Sequence, residues 1–476
     1  LWIQQDSLEM SEQIPVKNVT PPSQGDDLYA KREKIHTRAF TGLFRTVRMY
    51  VGFFLLLLFL GTAWLNWDGR QAVWWNLPER KFYVFGATFW PQDFMLLSWL
   101  LIISAFALFF VTVYAGRVWC GYACPQTTWT WIFMWVEKVT EGDRNKRIRL
   151  DKAPMTLEKF LRRFAKHSLW LLIGLGTGIT FVGYFTPIRE LPMDLLTGQA
   201  NGWSYFWVGF FTVMTYLAAG FLREQVCVYM CPYSRFQSVM FDKDTLIVSY
   251  DTQRGENRGA RKKNADYKAM GLGDCIDCTL CVQVCPTGID IRDGLQIACV
   301  SCAACIDVCD EVMGKMGYPK GLIRYTTEHN LAGEKTKLLR PRLVGYAAAL
   351  LVMVSLFSYT IFNRTLVELN VIKDRIPYRE NMQGRIENVY LLRIINKDQH
   401  AHTYTLEATG LNGLTLDSKQ NFEVQAGEIF SSPVSISVNP EELASSTNQI
   451  QFTVRSVDDE RIERTSKSTF IGPVIR

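Results

Sequence analysis

No cysteine follows Cys309, so the C-terminal third of this 476-residue chain carries no disulfide. Only five histidines occur in the whole chain, too few for a histidine-rich metal site. The first 40 residues are polar and lack an apolar h-region, so no cleavable signal peptide is expected. The chain begins Leu-Trp-Ile, and Met10 is the nearest methionine, leaving the natural start open. No Gly-x-Gly-x-x-Gly opens a helix after a strand, which argues against a tightly held dinucleotide. Charge is sparse at 21% against 48% hydrophobic residues, a balance suited to a membrane part and a soluble part in one chain.

What the chain does have is long apolar runs. Five could span a bilayer, which needs about 20 apolar residues: 49–67, 93–115, 168–188, 203–222 and 343–362. Their lack of charge and aromatic-rich ends weigh against buried helices of a large soluble core. Lys and Arg crowd the approach to the first run, the loop between the second and third, and the approach to the fifth. The positive-inside rule then puts the N-terminus and everything between the fourth and fifth runs in the cytoplasm, and the C-terminal region outside. A multi-pass protein of the bacterial inner membrane is expected, with a periplasmic C-terminal domain.

All twelve cysteines fall in four tight clusters. Such clustering suits reduced thiolates that hold metal on the reducing side of a membrane. Residues 275–286, "CIDCTLCVQVCP", have the bacterial ferredoxin spacing, and 299–309, "CVSCAACIDVC", repeat it. In two-cluster modules the fourth cysteine of each run ligates the other cluster. One 4Fe–4S cluster is therefore expected on Cys275, Cys278, Cys281 and Cys309, and a second on Cys299, Cys302, Cys305 and Cys285. Zinc normally pairs two hooks across a longer loop, so it is the weaker reading. One departure is Asp310, which stands where the first run has Pro286.

The remaining four cysteines form two copies of C-x-Y-x-C-P, at 120–125 and 227–232, each closing an apolar run. On a helix, Cys120 and Cys124 share one face, as do Cys227 and Cys231. Pro125 and Pro232 favour a helix end or kink just after each pair. The duplication suggests an internal repeat whose four thiols converge near a pseudo-symmetric centre. Three readings stay open: buried cysteines acting as small hydrophobes, a redox dithiol pair, or a soft-metal site for Cu(I), zinc or iron–sulfur. Tyr122 and Tyr229 read as interfacial anchors.

Residues 363–476 alternate in short stretches ("NVYLLRIIN", "HTYTLEAT", "SSPVSISV", "NQIQFTVRSV") separated by turn residues, which predicts an immunoglobulin-like sandwich. The basic stretch 254–274 reads as a solvated linker beside an anionic membrane, not a nucleic-acid site. His400 and His402, two apart on a predicted strand, are a minor metal candidate. The expected organisation is a cytoplasmic segment 1–48, a four-helix membrane region 49–252, a ferredoxin domain 253–341, a fifth span 342–362 and the outer domain 363–476. The fold class is a membrane α-helical region of five helices, an inserted α+β two-cluster ferredoxin domain and an all-β sandwich.

Two membrane C-x3-C-P motifs, a double ferredoxin run and a fifth span leading to an outside β domain together resemble the FixG/RdxA/CcoG family. These are accessory proteins for assembly of cbb3-type cytochrome c oxidase. The resemblance implies two 4Fe–4S clusters and reduction of Cu(II) to Cu(I), hence an oxidoreductase. It makes Cys275 to Cys309 an electron wire, and Cys120, Cys124, Cys227 and Cys231 the catalytic candidates for copper handling. A cytoplasmic or quinone electron donor, copper-transport and oxidase-assembly proteins, and a second copy of the chain are the expected partners. Two alternatives are a quinol-oxidising polyferredoxin relay to a periplasmic nitrogen-oxide reductase system and a non-catalytic copper carrier.

Overall fold

The computed structural model describes residues 34–473, apart from 264, 418–420 and 460. The expected N-terminal segment 1–48 therefore lies, up to residue 33, outside the described residues.

Among the described residues, five helices are long and apolar enough to cross a membrane: Leu43–Trp64, Pro91–Ala115, Leu157–Gly183, Gly202–Leu222 and Pro341–Phe362. A 22-residue helix such as the first is about 33 Å long, enough for the hydrocarbon layer. The third starts at Leu157, well before the apolar run at 168. Thr156 caps it by accepting from the Lys159 backbone N–H, and the basic residues of its first turns find partners. Lys166 Nζ lies 2.7 Å from Glu141 Oε1, and Lys159 Nζ donates to the carbonyls of Asp151 and Ala153. Charge that reads as loop in sequence is thus satisfied on a helix end.

Small residues set the crossing of the third and fourth spans. A Cβ at Gly174 would stand 3.0 Å from the Thr212 carbonyl, and one at Gly178 only 2.7 Å from that of Val208. This is the small-x3-small contact that lets membrane helices approach closely.

The stretch between the first two spans forms two small sheets, Asn66–Trp67 with Arg70–Gln71, and Val73–Asn76, Lys81–Val84, Ala87–Phe89 in order. Nothing in the sequence pattern announces them. Beyond the fifth span, two antiparallel sheets face each other. One runs Thr415–Leu416, Ile429–Val438, Ile386–Asn396, Val367–Lys373, with Arg379–Glu380 beside the third. The other runs Asn421–Val424, His402–Thr409, Thr447–Ser456, Glu463–Ile471. Inward residues alternate along each strand, and Tyr390, Leu392, Tyr404, Val434, Phe452 and Phe470 fill the core. Asp93 ties this domain to the membrane part, accepting from Arg364 Nη2 at 2.6 Å, with Lys397 at 3.5 Å.

Between the fourth and fifth spans, strands Ile247–Tyr250 and Ile323–Thr326 pair antiparallel. They bracket both ferredoxin-type runs, each of which includes the start of a helix, Leu280–Val284 with Cys281 and Ala304–Met316 with Cys305 and Cys309. The basic stretch 254–274 is not a solvated linker. Arg254 Nε bonds Asp274 at 2.5 Å, and Arg261 donates to the Gly273 carbonyl at 2.6 Å while lying over the rings of Tyr267 and Tyr318. Arg254 and Arg261 close a loop around the cysteine-bearing core, while Lys262, Lys263 and Lys268 stay exposed to solvent.

Candidate functional site

The two cysteine runs fold into near-identical loops. Asp277 and Thr279 flank Cys278 with φ of 50° and 55°, and Ser301 and Ala303 flank Cys302 with φ of 51° and 58°. A left-handed residue on either side of the central cysteine bends the chain so that successive N–H groups point into one concavity. Such concavities hold anions, iron–sulfur clusters among them.

One small cavity is lined by Cys275, Cys278, Cys281 and Cys309. A second small cavity is lined by Cys285, Cys299, Cys302 and Cys305, with Cys281 also in its wall. The rest of each wall is mainly apolar, so sulfur supplies the donors. Among the described residues, no three His, Cys, Asp or Glu side chains close onto a single ion. Thiols spread around a cavity suit a bulky cluster better than one zinc ion. Burial pushes the thiols of Cys281, Cys299 and Cys309 up to about 12. Each is therefore protonated without metal, and iron must displace a proton to bind. Two cubes carried on eight cysteines fit this donor set.

The two C-x-Y-x-C-P copies lie against this domain. Cys120 sits on the short helix Val118–Tyr122, while Cys124 is extended, with ψ 128°, and caps the helix Pro125–Glu141. Cys227 lies in a π-helical turn, Val226–Met230, and Cys231 caps Pro232–Met240. Each proline therefore starts the next helix, where its missing N–H costs nothing, and no cysteine pair shares one helix face. The two copies also differ, α-helical against π-helical, so the repeat is imperfect.

The four thiols are within electrostatic reach of one another, although no three of them close onto one ion. The negative charges of Cys120, Cys124 and Cys231, had they formed, would all be felt at Cys227. Burial first, then these neighbours, push Cys227 up to about 12 and Cys120 up to about 11, while the Arg117 guanidinium pulls both down. Cys120 Sγ donates to Gln237 Oε1 at 3.4 Å, linking the first copy to the helix that follows the second. Arg117 donates to the carbonyls of Ile297, Cys299 and Ser234, so one cation holds the cluster loop and the second copy together.

Gly121 is required here. A Cβ would stand 2.8 Å from the carbonyls of both Val300 and Ser301. Tyr122 is not a lipid anchor: its hydroxyl lies 3.2 Å from that of Tyr325, which donates to the Ser301 carbonyl at 2.5 Å. Tyr229 is exposed. His400 and His402 do not share a strand. His402 begins one and holds Asp398 at 2.8 Å, while His400 lies outside it, exposed.

Two further residues join the membrane part to the cluster domain, and spacing gave no hint of either. Asp307, between Cys305 and Cys309, accepts from the backbone N–H groups of Phe44 at 3.1 Å and Arg45 at 2.8 Å, capping the first span. Gly42 makes room for it, since a Cβ there would fall 2.2 Å from Asp307 Cγ. Arg48, buried in that span, donates to the Cys302 carbonyl at 2.8 Å.

Comparison with known proteins agrees with this geometry. Residues 222–328 match the 4Fe-4S dicluster domain family, residues 97–139 a 4Fe-4S binding domain, and residues 357–473 the IG-like fold at the C-terminal of FixG, putative oxidoreductase. Protein RdxB of Cereibacter sphaeroides is 42% identical over 83% of this chain and 86% of its own length. The nitrogen fixation protein FixG of Rhizobium meliloti is 38% identical over 82% of each. A crystal structure of a FixG-related protein from Vibrio parahaemolyticus aligns with 22% of this chain and 95% of its own, at 33% identity and a TM-score of 0.21. With paired cysteine cavities docked on a five-helix membrane part, and relatives at this identity over most of its length, the chain belongs to the FixG/RdxA family of membrane 4Fe–4S electron-transfer proteins.

Proposed function

We propose that this protein reduces Cu(II) to Cu(I) at the four-thiol site, in the service of cbb3-type oxidase assembly. The observation that carries the reading is the joining of the two C-x-Y-x-C-P copies through Cys120 and Gln237, beside the loop of Cys299 and Cys302 to which Arg117 donates. Cys275, Cys278, Cys281 and Cys309 would hold one cluster, and Cys285, Cys299, Cys302 and Cys305 the other. When bound, the clusters supply one-electron carriers.

The chain's own residues do the rest. Cys281 lines both cavities, so a single side chain separates them. Arg117 holds the cluster loop against the thiol site, and its charge opposes the burial that keeps those thiols protonated. Soft sulfur favours Cu(I) over the oxidised ion, so the site favours the product of a one-electron transfer. One Cu(II) takes one electron and leaves as Cu(I). The cluster domain would face the cytoplasm and the sandwich the periplasm.

The test starts from anaerobic protein reduced with dithionite and freed of excess reductant. Cu(II) is then added with a Cu(I)-specific chelator. One Cu(I) per reoxidised cluster is expected, and the combined Cys120→Ser, Cys227→Ser variant should lose it while keeping its iron. Undiminished copper reduction in that variant would make the thiols structural. Cluster bleaching without chelator signal would favour a relay to some other acceptor.

A further inference from the structure

A third cavity is separate from the two that cysteines line. Its volume is about 370 Å3, and it lies between the first span and the helix Pro125–Glu141. Arg48, Gly52 and Leu56 reach it from one face of the span, and Trp131 and Trp135 from the helix. Its inner wall is Gly121 and Tyr122 of the first C-x-Y-x-C-P copy. Gly121 packs directly on the backbone of the Cys299–Cys302 loop. The other polar end carries Lys138, which is exposed, and Asp143.

The cavity contains a built polar site. Arg48 is 7% exposed, its guanidinium 3.9 Å from the centre of the Trp131 ring, and it donates to the carbonyl of Cys302. Trp131 also carries a buried indole N–H that has no hydrogen-bond partner among the described residues. Apolar walls beside a membrane span call for a lipophilic guest. A buried guanidinium with several donors and an orphan N–H call for ring oxygens that accept. Contact with the backbone of a cluster-bearing loop calls for a redox-active guest. A phospholipid chain meets only the first of these demands.

We propose that this cavity binds the head group of a membrane quinol, which is the electron donor to the cysteine-held clusters; the proposal rests on the iron–sulfur electron-transfer reading. One quinol yields two electrons, one for each cluster. Its two O–H bonds break as two C=O bonds form, and the two protons leave to water at the end bearing Lys138 and Asp143.

The test uses the intact, oxidised holoprotein in detergent with decylubiquinone and 2-methyl-1,4-naphthoquinone as probes. Binding is read as saturable quenching of tryptophan fluorescence, since Trp131 and Trp135 line the cavity. Gly52→Leu fills the space, because a Cβ there meets only Thr128 Cγ2, at 3.4 Å. Ile132→Phe adds bulk from the opposite wall. At least one quinone is expected to bind saturably, with affinity falling tenfold or more in both variants at unchanged iron content. Absence of saturable binding overturns the proposal, as does binding unaltered in both variants. Recovery of phospholipid that neither quinone displaces overturns it too. Binding is read without copper, and copper reduction with dithionite and no quinone, so failure of one is distinct from failure of the other.

Discussion

Removing the Asp307 carboxylate tests how the cluster domain is fastened to the membrane. Asp307 is 7% exposed and accepts from two backbone N–H groups, those of Phe44 and Arg45, at the start of the first span. Asp307→Ala removes both bonds and strands two donors at a buried helix end. Loss of an N-cap costs about 1 kcal/mol, and each stranded buried donor about 1–3 kcal/mol. With water reaching part of the gap, a net weakening of about 2–4 kcal/mol is expected for the docked state. That is about a 30- to 700-fold shift towards the undocked form at 1.4 kcal/mol per decade. Hydrogen exchange in detergent reads it directly: the Phe44 and Arg45 amides should lose protection, while those of the sandwich strands should not. Asp307→Asn keeps one acceptor oxygen and should fall between. Because Asp307 lies between two candidate cluster ligands, iron content is measured on every preparation. Protection of Phe44 and Arg45 unchanged in the alanine variant, at full iron content, would refute the reasoning.

Other outcomes follow from the same structure. Cys285→Ser should perturb the EPR signal of the centre shared with Cys299, Cys302 and Cys305, and Cys309→Ser that of the other, if the fourth cysteine of each run crosses over as the cavities are lined. Gly178→Ala drives a Cβ to 2.7 Å from the Val208 carbonyl. It should cost about 1–3 kcal/mol of overpacking, read as a lowered unfolding midpoint in detergent. Phe452→Ala empties the centre of the sandwich, where Phe452 is fully buried against Tyr390. A loss of about 3–5 kcal/mol is expected, seen as earlier unfolding of the C-terminal domain with the cluster absorbance intact.

The patterns legible in the sequence were those that repeat along the chain. Apolar runs announce helices because every residue of a span meets the same solvent, and their ends slipped where charged residues find partners on a helix, as at Arg48, Lys159 and Lys166. Alternation announces strands, and "NQIQFTVRSV" is the strand Thr447–Ser456 with its even-numbered residues turned inward. Local reasoning failed where a helix break mattered more than a helix face. The proline after each C-x-Y-x-C pair starts a helix, and the pair itself straddles the break. The small sheets of residues 66–89 also escaped, since two- to four-residue strands are too short to show a period. The basic stretch 254–274 read as solvent-facing because its partners, Gly273 and the Tyr318 ring, are recognisable only once the loop is closed.

Sequence alone determined the chemistry on offer: twelve thiols in ligand-like spacing, five lipid-soluble helices and a cysteine-free β domain. Each of these is written in residue type and short-range period, which survive without any fold. Tertiary structure alone decided what touches what. It brought Cys120 to Gln237, set Asp307 on the first span 262 residues earlier, and placed Arg48 between an apolar cavity and the Cys302 carbonyl. Contacts across such separations depend on how helices cross and where glycines let backbones meet, and no local pattern of residues encodes that.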